Sequence, residues 1–431
     1  MYLGRRAALR QGGRLAAAAA LGALAAGLAG CGLANAPRGA RAAAPLTLLV
    51  DADVLPAAEA LGTAYAGSAG GAMPLIQVAE PSLAQDVDDM LAGDPSLAPD
   101  VLWVSPAVRD SLLASTLMVN LAPALADTGI ASGLYASCLR YCASGPRQLA
   151  IPTFRDPLVV YYNSDALAKA GLNPPAAGWT VHDLVQACEQ ILQRLPRPAA
   201  PLANALNIFD LELFCAFVVG YGGVLLQPAQ VGYTPQFASS AGAQGAGALA
   251  ALHAYEPAEP PASPQTLFAQ GHAVFYFGHR SDLGPLSSAI AGHFAWNIVA
   301  LPRFPARAAQ PVAADGLAVV TGDPGRRAAA IAMALFAGSP PAQEAMAHAA
   351  VGVPALRALA ASPDWRAAAP NVNLGVFTAS PGSDLVVQRP LYLIAPGLAD
   401  AMRAVAQGMN AHEALAEAAT WAEYQLATWQ D

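Results

Sequence analysis

Short apolar runs alternate along the chain with stretches in which apolar residues recur every three or four positions. A short run of mainly apolar residues predicts a buried strand, and four such runs, of three to five residues each, lie at 46–50, 101–104, 149–151 and 158–162. Pro152 and Pro157 separate the last two runs, so we expect two strands there rather than one.

Helical spacing of apolar residues marks the segments between these runs. One predicted helix spans 83–91. Another begins at Thr180, which can cap it with Asp183 three residues on, and a third begins at Asn410 with Glu413 in the same relation. Strands therefore alternate with helices, which favours an α/β fold of packed layers.

The first 45 residues have the pattern of an export signal followed by a tether. Four arginines precede an apolar stretch at 15–28, which is too short to span a bilayer, and the stretch ends in Leu28-Ala29-Gly30-Cys31. This ending resembles the bacterial lipoprotein box. We expect a lipoprotein signal peptide over 1–30 and a lipidated tether over 31–45, with lipid on Cys31. An ordinary signal peptide with a chance cysteine is the alternative, and Arg5-Arg6 leaves the general and twin-arginine export routes open.

Composition limits the class of protein. The 431 residues are 55% hydrophobic and 12% charged, which excludes intrinsic disorder. Twenty-two basic against 30 acidic residues give a net charge of −8, so we expect no nucleic-acid partner. No metal or other cofactor is expected, because the histidines are scattered. Export permits disulfides, and the pairing stays open among four cysteines: Cys138, Cys142, Cys188 and Cys215.

Sequence patterns of common catalytic sites are absent. There is no nucleophile elbow, phosphate-binding loop, dinucleotide fingerprint or His-Glu-x-x-His zinc motif. Asp51 and Asp53 follow the first strand and share a face, so a glycosidase pair is one interpretation. The second interpretation is that they cap a helix or bind a ligand. We predict no catalytic residues and no enzymatic activity.

One block of sequence resembles a known family. It contains Ile151-Pro152-Thr153, the run 158–167 with Tyr-Tyr-Asn, the Ala-Gly-Leu-Asn-Pro-Pro stretch at 170–175, and Gly178-Trp179-Thr180. This order is similar to that of the extracellular solute-binding proteins of family 1, the maltose-binding-type receptors of ABC importers. Weaker agreement extends from about residue 46 to the C-terminus.

The resemblance implies a two-lobed, type II periplasmic-binding-protein fold of the α/β class. The lobes are joined by crossover hinge strands, and the ligand cleft lies between them. By order along the chain, lobe 1 comprises 46–156 and 301–358, and lobe 2 comprises 157–300 and 359–431.

Transfer of family positions, one by one, gives ten candidate ligand-binding residues: Asp51, Asp53, Trp103, Ser105, Asp156, Arg280, Trp296, Asp315, Gly316 and Tyr392. Trp103 and Trp296 each have a core position as the alternative, and Asp156 has an ion pair with Arg155. Arg280 stands where relatives often place a tryptophan, and Asp315-Gly316 stand where many relatives have Gly-Gly.

These features predict a substrate-binding lipoprotein that captures a sugar or polyol by hinge closure and delivers it to the permease subunits of an ABC importer. Its expected place is the outer face of the bacterial cell membrane or the periplasm, as a monomer that touches the membrane only through its lipid. Arg155 and Arg280 make an anionic solute such as a sugar phosphate the rival ligand. The sequence also leaves open a non-transport sensor or scaffold, a structural envelope lipoprotein and an exported glycoside hydrolase.

Overall fold

Two β-sheets with helices packed on them organise the protein. The computed structural model describes residues 44–68, 71–79, 82–93, 98–113, 117–196, 200–258, 262–349, 352–367, 371–378 and 381–427. The predicted signal peptide, Cys31 and the tether up to residue 43 lie outside the described residues.

The strands are short, apart from two that run through the middle of the larger sheet. In chain order they are β1 (Thr47–Val50), β2 (Leu75–Val78), β3 (Val101–Val104), β4 (Ala143–Ser144), β5 (Arg147–Gln148), β6 (Ile151–Pro157), β7 (Val159–Asn163), β8 (Ala200–Leu202), β9 (Leu226–Pro228), β10 (Tyr233–Pro235), β11 (Ala273–Gly278), β12 (Trp296–Val299), β13 (Gln310–Val319), β14 (Val353–Pro354) and β15 (Asp384–Leu385).

The helices range from one turn to nearly five. They are α1 (Leu55–Gly67), α2 (Leu83–Ala92), α3 (Pro106–Leu113), α4 (Ala122–Ala126), α5 (Ala136–Tyr141), α6 (Ser164–Lys169), α7 (Val181–Arg194), α8 (Leu211–Gly220), α9 (Ser240–Leu252), α10 (Pro264–Ala269), α11 (Leu283–Ile290), α12 (Pro324–Ala337), α13 (Pro340–His348), α14 (Arg357–Ala360), α15 (Pro363–Ala367), α16 (Pro390–Ala406) and α17 (Ala411–Leu426).

The larger sheet has the strand order β14-β6-β13-β3-β1-β2, and β15 also pairs with β13. β1, β2 and β3 are parallel, whereas β13 runs antiparallel to both β3 and β6. The carboxyl ends of β1 and β3 therefore open at the same edge, which is where α/β sheets bind ligands.

The smaller sheet has the order β12-β7-β11-β8. β7 is antiparallel to both neighbours and completely buried, since it lies between β11 and β12. Helices α7, α8, α9, α16 and α17 share one apolar core with this sheet. A second core lies between α1, α12 and α13 and the larger sheet.

The chain passes between the sheets at Pro157, where β6 of the larger sheet gives way to β7 of the smaller one, and returns between β12 and β13. Residues 384–385, within the segment predicted for lobe 2, pair with β13 of the larger sheet. The chain is therefore still paired with the larger sheet beyond residue 358, the predicted end of lobe 1.

The predicted elements are found with one correction. The capping box of Thr180 and Asp183 is present at the start of α7, and the Asn410 side chain caps α17. The run at 149–151 is not a strand of its own; the strand is β6, which contains both Pro152 and Pro157. β14 pairs with β6 only at Phe154 and Arg155, whereas β13 lies opposite both prolines, with a register shift beside the partner of Pro152.

The thiols of Cys138, Cys142, Cys188 and Cys215 are free and buried. Burial raises the pKa of each thiol, which keeps it protonated and unreactive. In the part of the chain that the structure describes, none of the helices combines the length and the apolar character that a membrane crossing requires.

Candidate functional site

A cavity of about 480 Å³ lies at the carboxyl edge of the larger sheet. Its walls come from the turns after β1 and β3, the strands β6 and β13, and the start of α8 and α11. The lining residues are Asp51, Asp53, Val54, Ser105, Pro106, Ala107, Phe154, Arg155, Asp156, Glu212, His279, Arg280, Ser281, Gly284, Pro285, Ala313, Asp315 and Gly352.

Two acids end the first strand on one wall. Asp51 accepts a hydrogen bond from the backbone N–H of Leu83 at 3.0 Å, so its carboxylate ties the end of β1 to the start of α2. Asp53 lies in the following 3-10 turn, where burial and then the neighbouring Asp51 carboxylate raise its pKa. Ser105 stands at the end of β3, and its buried hydroxyl has no hydrogen-bond partner among the described residues.

Arg155 on β6 is a buried residue that lines the cavity and also contacts residues behind its wall. The Arg155 guanidinium forms an ion pair with Asp384 at 2.5 Å and donates to the carbonyl of Phe377. The neighbouring Asp156 carboxylate instead accepts from the backbone N–H of Ser281 at 3.1 Å. The alternative considered for Asp156, an ion pair with Arg155, is therefore not found, because Arg155 pairs with Asp384.

His279 links two acids of the cavity. Its Nε2 lies 3.3 Å from a carboxylate oxygen of Glu212, and its Nδ1 lies 3.9 Å from that of Asp156. Burial opposes the charged imidazole, but the surrounding carboxylates outweigh it and raise the pKa of His279 to about 9. Burial raises the pKa of Glu212 to about 7, although His279 acts in the opposite direction.

Arg280 begins the 3-10 turn that follows β11 and is 4% exposed. Its guanidinium carbon lies 5.9 Å from the ring centroid of Phe377. Burial lowers its pKa, against the influence of Tyr161 and Asp156. The cavity thus has a cationic group on the wall that belongs to the smaller sheet.

Asp315 enters the cavity from the middle of β13. The indole Nε1–H of Trp103 donates to its Oδ2 at 3.1 Å. Burial, followed by the carboxylates of Asp156, Asp53 and Asp51, raises the pKa of Asp315 to about 8, while the Trp103 hydrogen bond lowers it. The carboxyl group is thus neutral at pH 7.

Phe154 contributes a phenyl ring to the cavity wall, and Gly352 leaves room for that ring. A Cβ at residue 352 would lie 2.4 Å from Cγ of the Phe154 ring. Glycine is therefore required at this position by close approach.

The structure brings six of the ten predicted residues to the cavity: Asp51, Asp53, Ser105, Asp156, Arg280 and Asp315. The remaining four lie outside its lining. Trp103 is fully buried behind Asp315, and Trp296 packs 5.9 Å from the Tyr161 ring. Gly316 is enclosed by Ala150, Ile151 and Cys142, and Tyr392 packs against the core of the smaller sheet.

Sequence reasoning missed Glu212, His279 and Phe154 as lining residues. His279 directly precedes Arg280, so its position could have been inferred with it. No sequence pattern marked Glu212 as a lining residue. It lies in the first turn of α8, which is almost wholly apolar after that turn, and only tertiary packing determines where the turn points.

One known protein family matches most of the chain. The family model described as "Bacterial extracellular solute-binding protein" matches residues 60–372. No curated protein sequence matches the chain.

Three solved structures are similar over nearly their whole length. Maltose-bound MalE3 of T. maritima is 20% identical with a TM-score of 0.68, covering 89% of this chain and 100% of that one. The cyclic alpha-maltosyl-1,6-maltose binding protein of Arthrobacter globiformis is 16% identical with a TM-score of 0.74, covering 89% and 99%. UgpB of Mycobacterium tuberculosis, in complex with glycerophosphocholine, is 15% identical with a TM-score of 0.71, covering 89% and 98%.

These likenesses confirm the predicted two-lobed α/β fold, and the family match covers most of the chain. The chain belongs to the bacterial extracellular solute-binding proteins, as the Tyr-Tyr-Asn block of its sequence predicted.

Proposed function

We propose that the chain is the carbohydrate receptor of an ABC importer, held at the outer face of the cell membrane by lipid on Cys31. It binds a sugar or polyol in the cavity between its sheets and presents the loaded form to permease subunits. The observation that carries the proposal is the described lining of the cavity, in which five carboxyl groups stand beside a phenyl ring: Asp51, Asp53, Asp156, Glu212, Asp315 and Phe154.

This lining suits the chemistry of a sugar. Hydroxyl groups at the edge of the ring need acceptors, and ionised carboxylates accept without donating. The C–H faces of the ring need an apolar surface, which Phe154 offers. The Ser105 hydroxyl, buried without a partner in the described residues, adds a group that can both donate and accept.

The ligands of proteins with similar folds support the same class of solute. MalE3 of T. maritima was solved with maltose, and the A. globiformis protein is a cyclic maltosyl-maltose receptor. A volume of about 480 Å³ is within the range of small-molecule pockets.

An anionic solute is the second candidate, because Arg280 and His279 line the opposite wall. UgpB, which was solved with glycerophosphocholine, is among the similar folds. Two features weigh against this candidate. Arg155 is held by Asp384, and carboxyl groups outnumber cations in the described lining.

We propose no catalytic role. A glycosidase needs two carboxyl groups facing each other across the bond that breaks. Asp51 and Asp53 come from one short turn and therefore stand on the same wall. Across the cavity from them the carboxyl group is that of Glu212, which lies 3.3 Å from the His279 imidazole and beside the buried Arg280, so it is engaged by a neighbouring side chain and suits binding.

The lobe boundaries, the hinge and the monomeric state are part of the same proposal. We place lobe 1 at 46–156 and 301–358, and lobe 2 at 157–300 and 359–431. Closure about the crossings of β6 and β13 would bring Asp51, Asp53 and Asp315 toward Glu212, His279 and Arg280, which lie across the cavity.

The test is thermal unfolding of the purified protein with maltose, glucose, sorbitol, glycerol 3-phosphate and glycerophosphocholine. A ligand at 100 times its Kd stabilises by about 2.7 kcal/mol, which raises Tm by several degrees. We expect a rise with a neutral sugar or sorbitol. A rise only with the phosphate compounds, lost in Arg280→Ala and kept in the exposed-surface control Arg403→Ala, would favour the anionic candidate.

Lipid anchoring is tested separately. We expect incorporation of labelled palmitate into the exported chain and its loss in Cys31→Ser. Incorporation that survives this substitution would place the lipid elsewhere and overturn this part of the proposal.

A further inference from the structure

Asp315 owes its position to an irregularity in β13. The register between β13 and β6 shifts between Asp315 and Gly316, so that Asp315 lies opposite Phe154 while Gly316 lies opposite Pro152. A Cβ at residue 316 would lie 3.0 Å from both the Cβ of Ala150 and the carbonyl oxygen of Ile151. The bulge and its glycine thereby fix where the Asp315 side chain leaves the strand.

Trp103 fixes the orientation of this carboxyl group. It is fully buried on β3, the neighbouring strand, and its ring centroid lies 5.8 Å from that of Phe154. An indole N–H can only donate, so the Oδ2 atom of Asp315, 3.1 Å away, must accept. The carbonyl oxygen of a neutral carboxyl group is the better acceptor, so this hydrogen bond favours the proton on Oδ1.

We propose that Asp315 is a neutral hydrogen-bond donor to the solute, with its proton on Oδ1 and with Trp103 as the positioning residue that occupies Oδ2. This inference rests on the proposed function of the cavity as the solute site. It assigns Trp103 a role behind the cavity wall in place of the direct ligand contact expected from the sequence.

The charges around Asp315 favour its neutral form. Asp51 and Asp53 face it from the turn after β1, Asp156 faces it from β6, and all three line the same cavity. A fourth full negative charge among them would be repelled, and burial adds to the cost of ionisation. These two effects raise the pKa of Asp315 to about 8.

The nearby cations do not offset this repulsion. Arg155 on β6 is engaged by Asp384, and His279 after β11 lies against Glu212 at 3.3 Å. Arg280 lies near the Phe377 ring and interacts with the Asp156 carboxylate, and it is not among the main influences on the pKa of Asp315. Just after α5, behind β13, the buried Cys142 thiol has a raised pKa and stays neutral.

A donor at this point selects a ligand atom that accepts. A ring oxygen, a glycosidic oxygen or a hydroxyl oxygen can receive the Oδ1 proton. A phosphate or carboxylate oxygen could receive it too, but would bring negative charge toward Asp51, Asp53 and Asp156. The donor together with these three carboxylates therefore favours a neutral polyhydroxylated solute over an anionic one.

The indole of Trp103 reports on Asp315 without any ligand. We would label the protein with ¹⁵N-tryptophan and follow the indole N–H resonances from pH 5 to pH 10. The Trp103 resonance is assigned by its loss in Trp103→Phe and, independently, by its shift in Asp315→Asn. Trp179 is the control inside the same spectrum, because its indole donates to the backbone carbonyl of Ala300 at 2.8 Å.

We expect the Trp103 resonance to show an inflection near pH 8 that is absent in Asp315→Asn and absent from Trp179. An inflection below pH 6, or one that persists in Asp315→Asn, would overturn the proposal. This result does not depend on ligand binding, so it can be obtained whether or not the proposed function is correct.

Binding is measured by calorimetry with maltose as the probe. Asp315→Asn keeps a donor toward the cavity and an acceptor for Trp103, so we expect its Kd at pH 7 to stay within about threefold of wild type. Asp315→Ala loses the donor, and we expect binding about tenfold weaker. Wild-type affinity should fall from pH 7 to pH 9.5 while that of Asp315→Asn stays level. Undiminished binding by Asp315→Ala would contradict the proposal.

Discussion

Arg155 and Asp384 form a buried ion pair between the crossing strand β6 and the short strand β15. The Nη2 and Oδ1 atoms are 2.5 Å apart, and the two side chains are 1% and 4% exposed. The Ser137 hydroxyl donates a second hydrogen bond to Asp384 at 2.5 Å. The pair thus joins three segments of the chain that are far apart in sequence.

Removal of one partner should destabilise the folded protein, because the charge of the other partner stays buried without an opposite charge beside it. We expect Arg155→Leu to lower the free energy of unfolding by about 3–5 kcal/mol, measured by urea unfolding at pH 7. The double variant with Asp384→Leu should recover much of that loss. Arg403→Leu, at an exposed ion pair, is the control and should change stability by about 0.5 kcal/mol at most. A loss in Arg155→Leu no larger than in this control would contradict the prediction.

Asp315→Asn should stabilise the ligand-free protein at neutral pH. The folded pKa of Asp315 is raised from 3.8 to about 8, so the folded state holds its proton more tightly than the unfolded state. Wild-type stability is therefore lost as pH rises from about 4 to 8, and asparagine removes this dependence. We expect a gain of up to about 4 kcal/mol at pH 7 that disappears near pH 4. Equal gains at both pH values would point to packing instead.

His279 should make the folded protein less stable in alkali. Its folded pKa is raised from 6.5 to about 9, so its contribution is complete below pH 6.5 and is lost as pH rises through 9. We expect the free energy of unfolding of wild type to fall by on the order of 2 kcal/mol between pH 6.5 and 9.5. His279→Gln should flatten this fall, whereas His412→Gln, on the exposed side of α17, should leave it unchanged. The same slope in His279→Gln as in wild type would rule out the Glu212–His279 pair as its source.

Two glycines of the cavity lining should respond in opposite directions to alanine. A Cβ at Gly352 meets the Phe154 ring at 2.4 Å, so Gly352→Ala should destabilise by about 1–3 kcal/mol. A Cβ at Gly284 meets nothing within 4 Å, and the residue lies within α11, so Gly284→Ala should stabilise by about 0.5–1 kcal/mol. Thermal unfolding of both variants without ligand decides the matter, and destabilisation of equal size would show that the Phe154 contact is not the cause.

The strand ends of the larger sheet were predictable because local pattern determines them. The apolar runs of β1 and β3 are flanked by polar residues, so the sequence places Asp51, Asp53 and Ser105 after them, and parallel pairing then brings them to one edge. The same local pattern could not decide whether Trp103 faces the cavity or the core. An all-apolar strand is buried on both faces, and its pattern does not show which face is the cavity side.

The positions of the remaining candidate residues relative to the cavity depend on tertiary packing. Trp296 and Tyr392 were transferred from relatives, and here their side chains pack against core residues instead of the cavity. Glu212 reaches the site only because α8 is oriented by a core that surrounds it. The pairing of Arg155 with Asp384 could not be predicted from local sequence either, because 229 residues separate the two.

The pairing of β13 also affects the order in which the chain folds. It pairs with β3, β6 and β15, and the hydrogen bond between Trp103 and Asp315 spans 212 residues of sequence. The centre of the larger sheet cannot be completed until most of the chain has been synthesised. Contacts of such long range slow folding, because large loops must close before any pairing energy is gained. We therefore expect the larger sheet to remain incomplete through most of the synthesis of the chain, with the cavity among the last features to form.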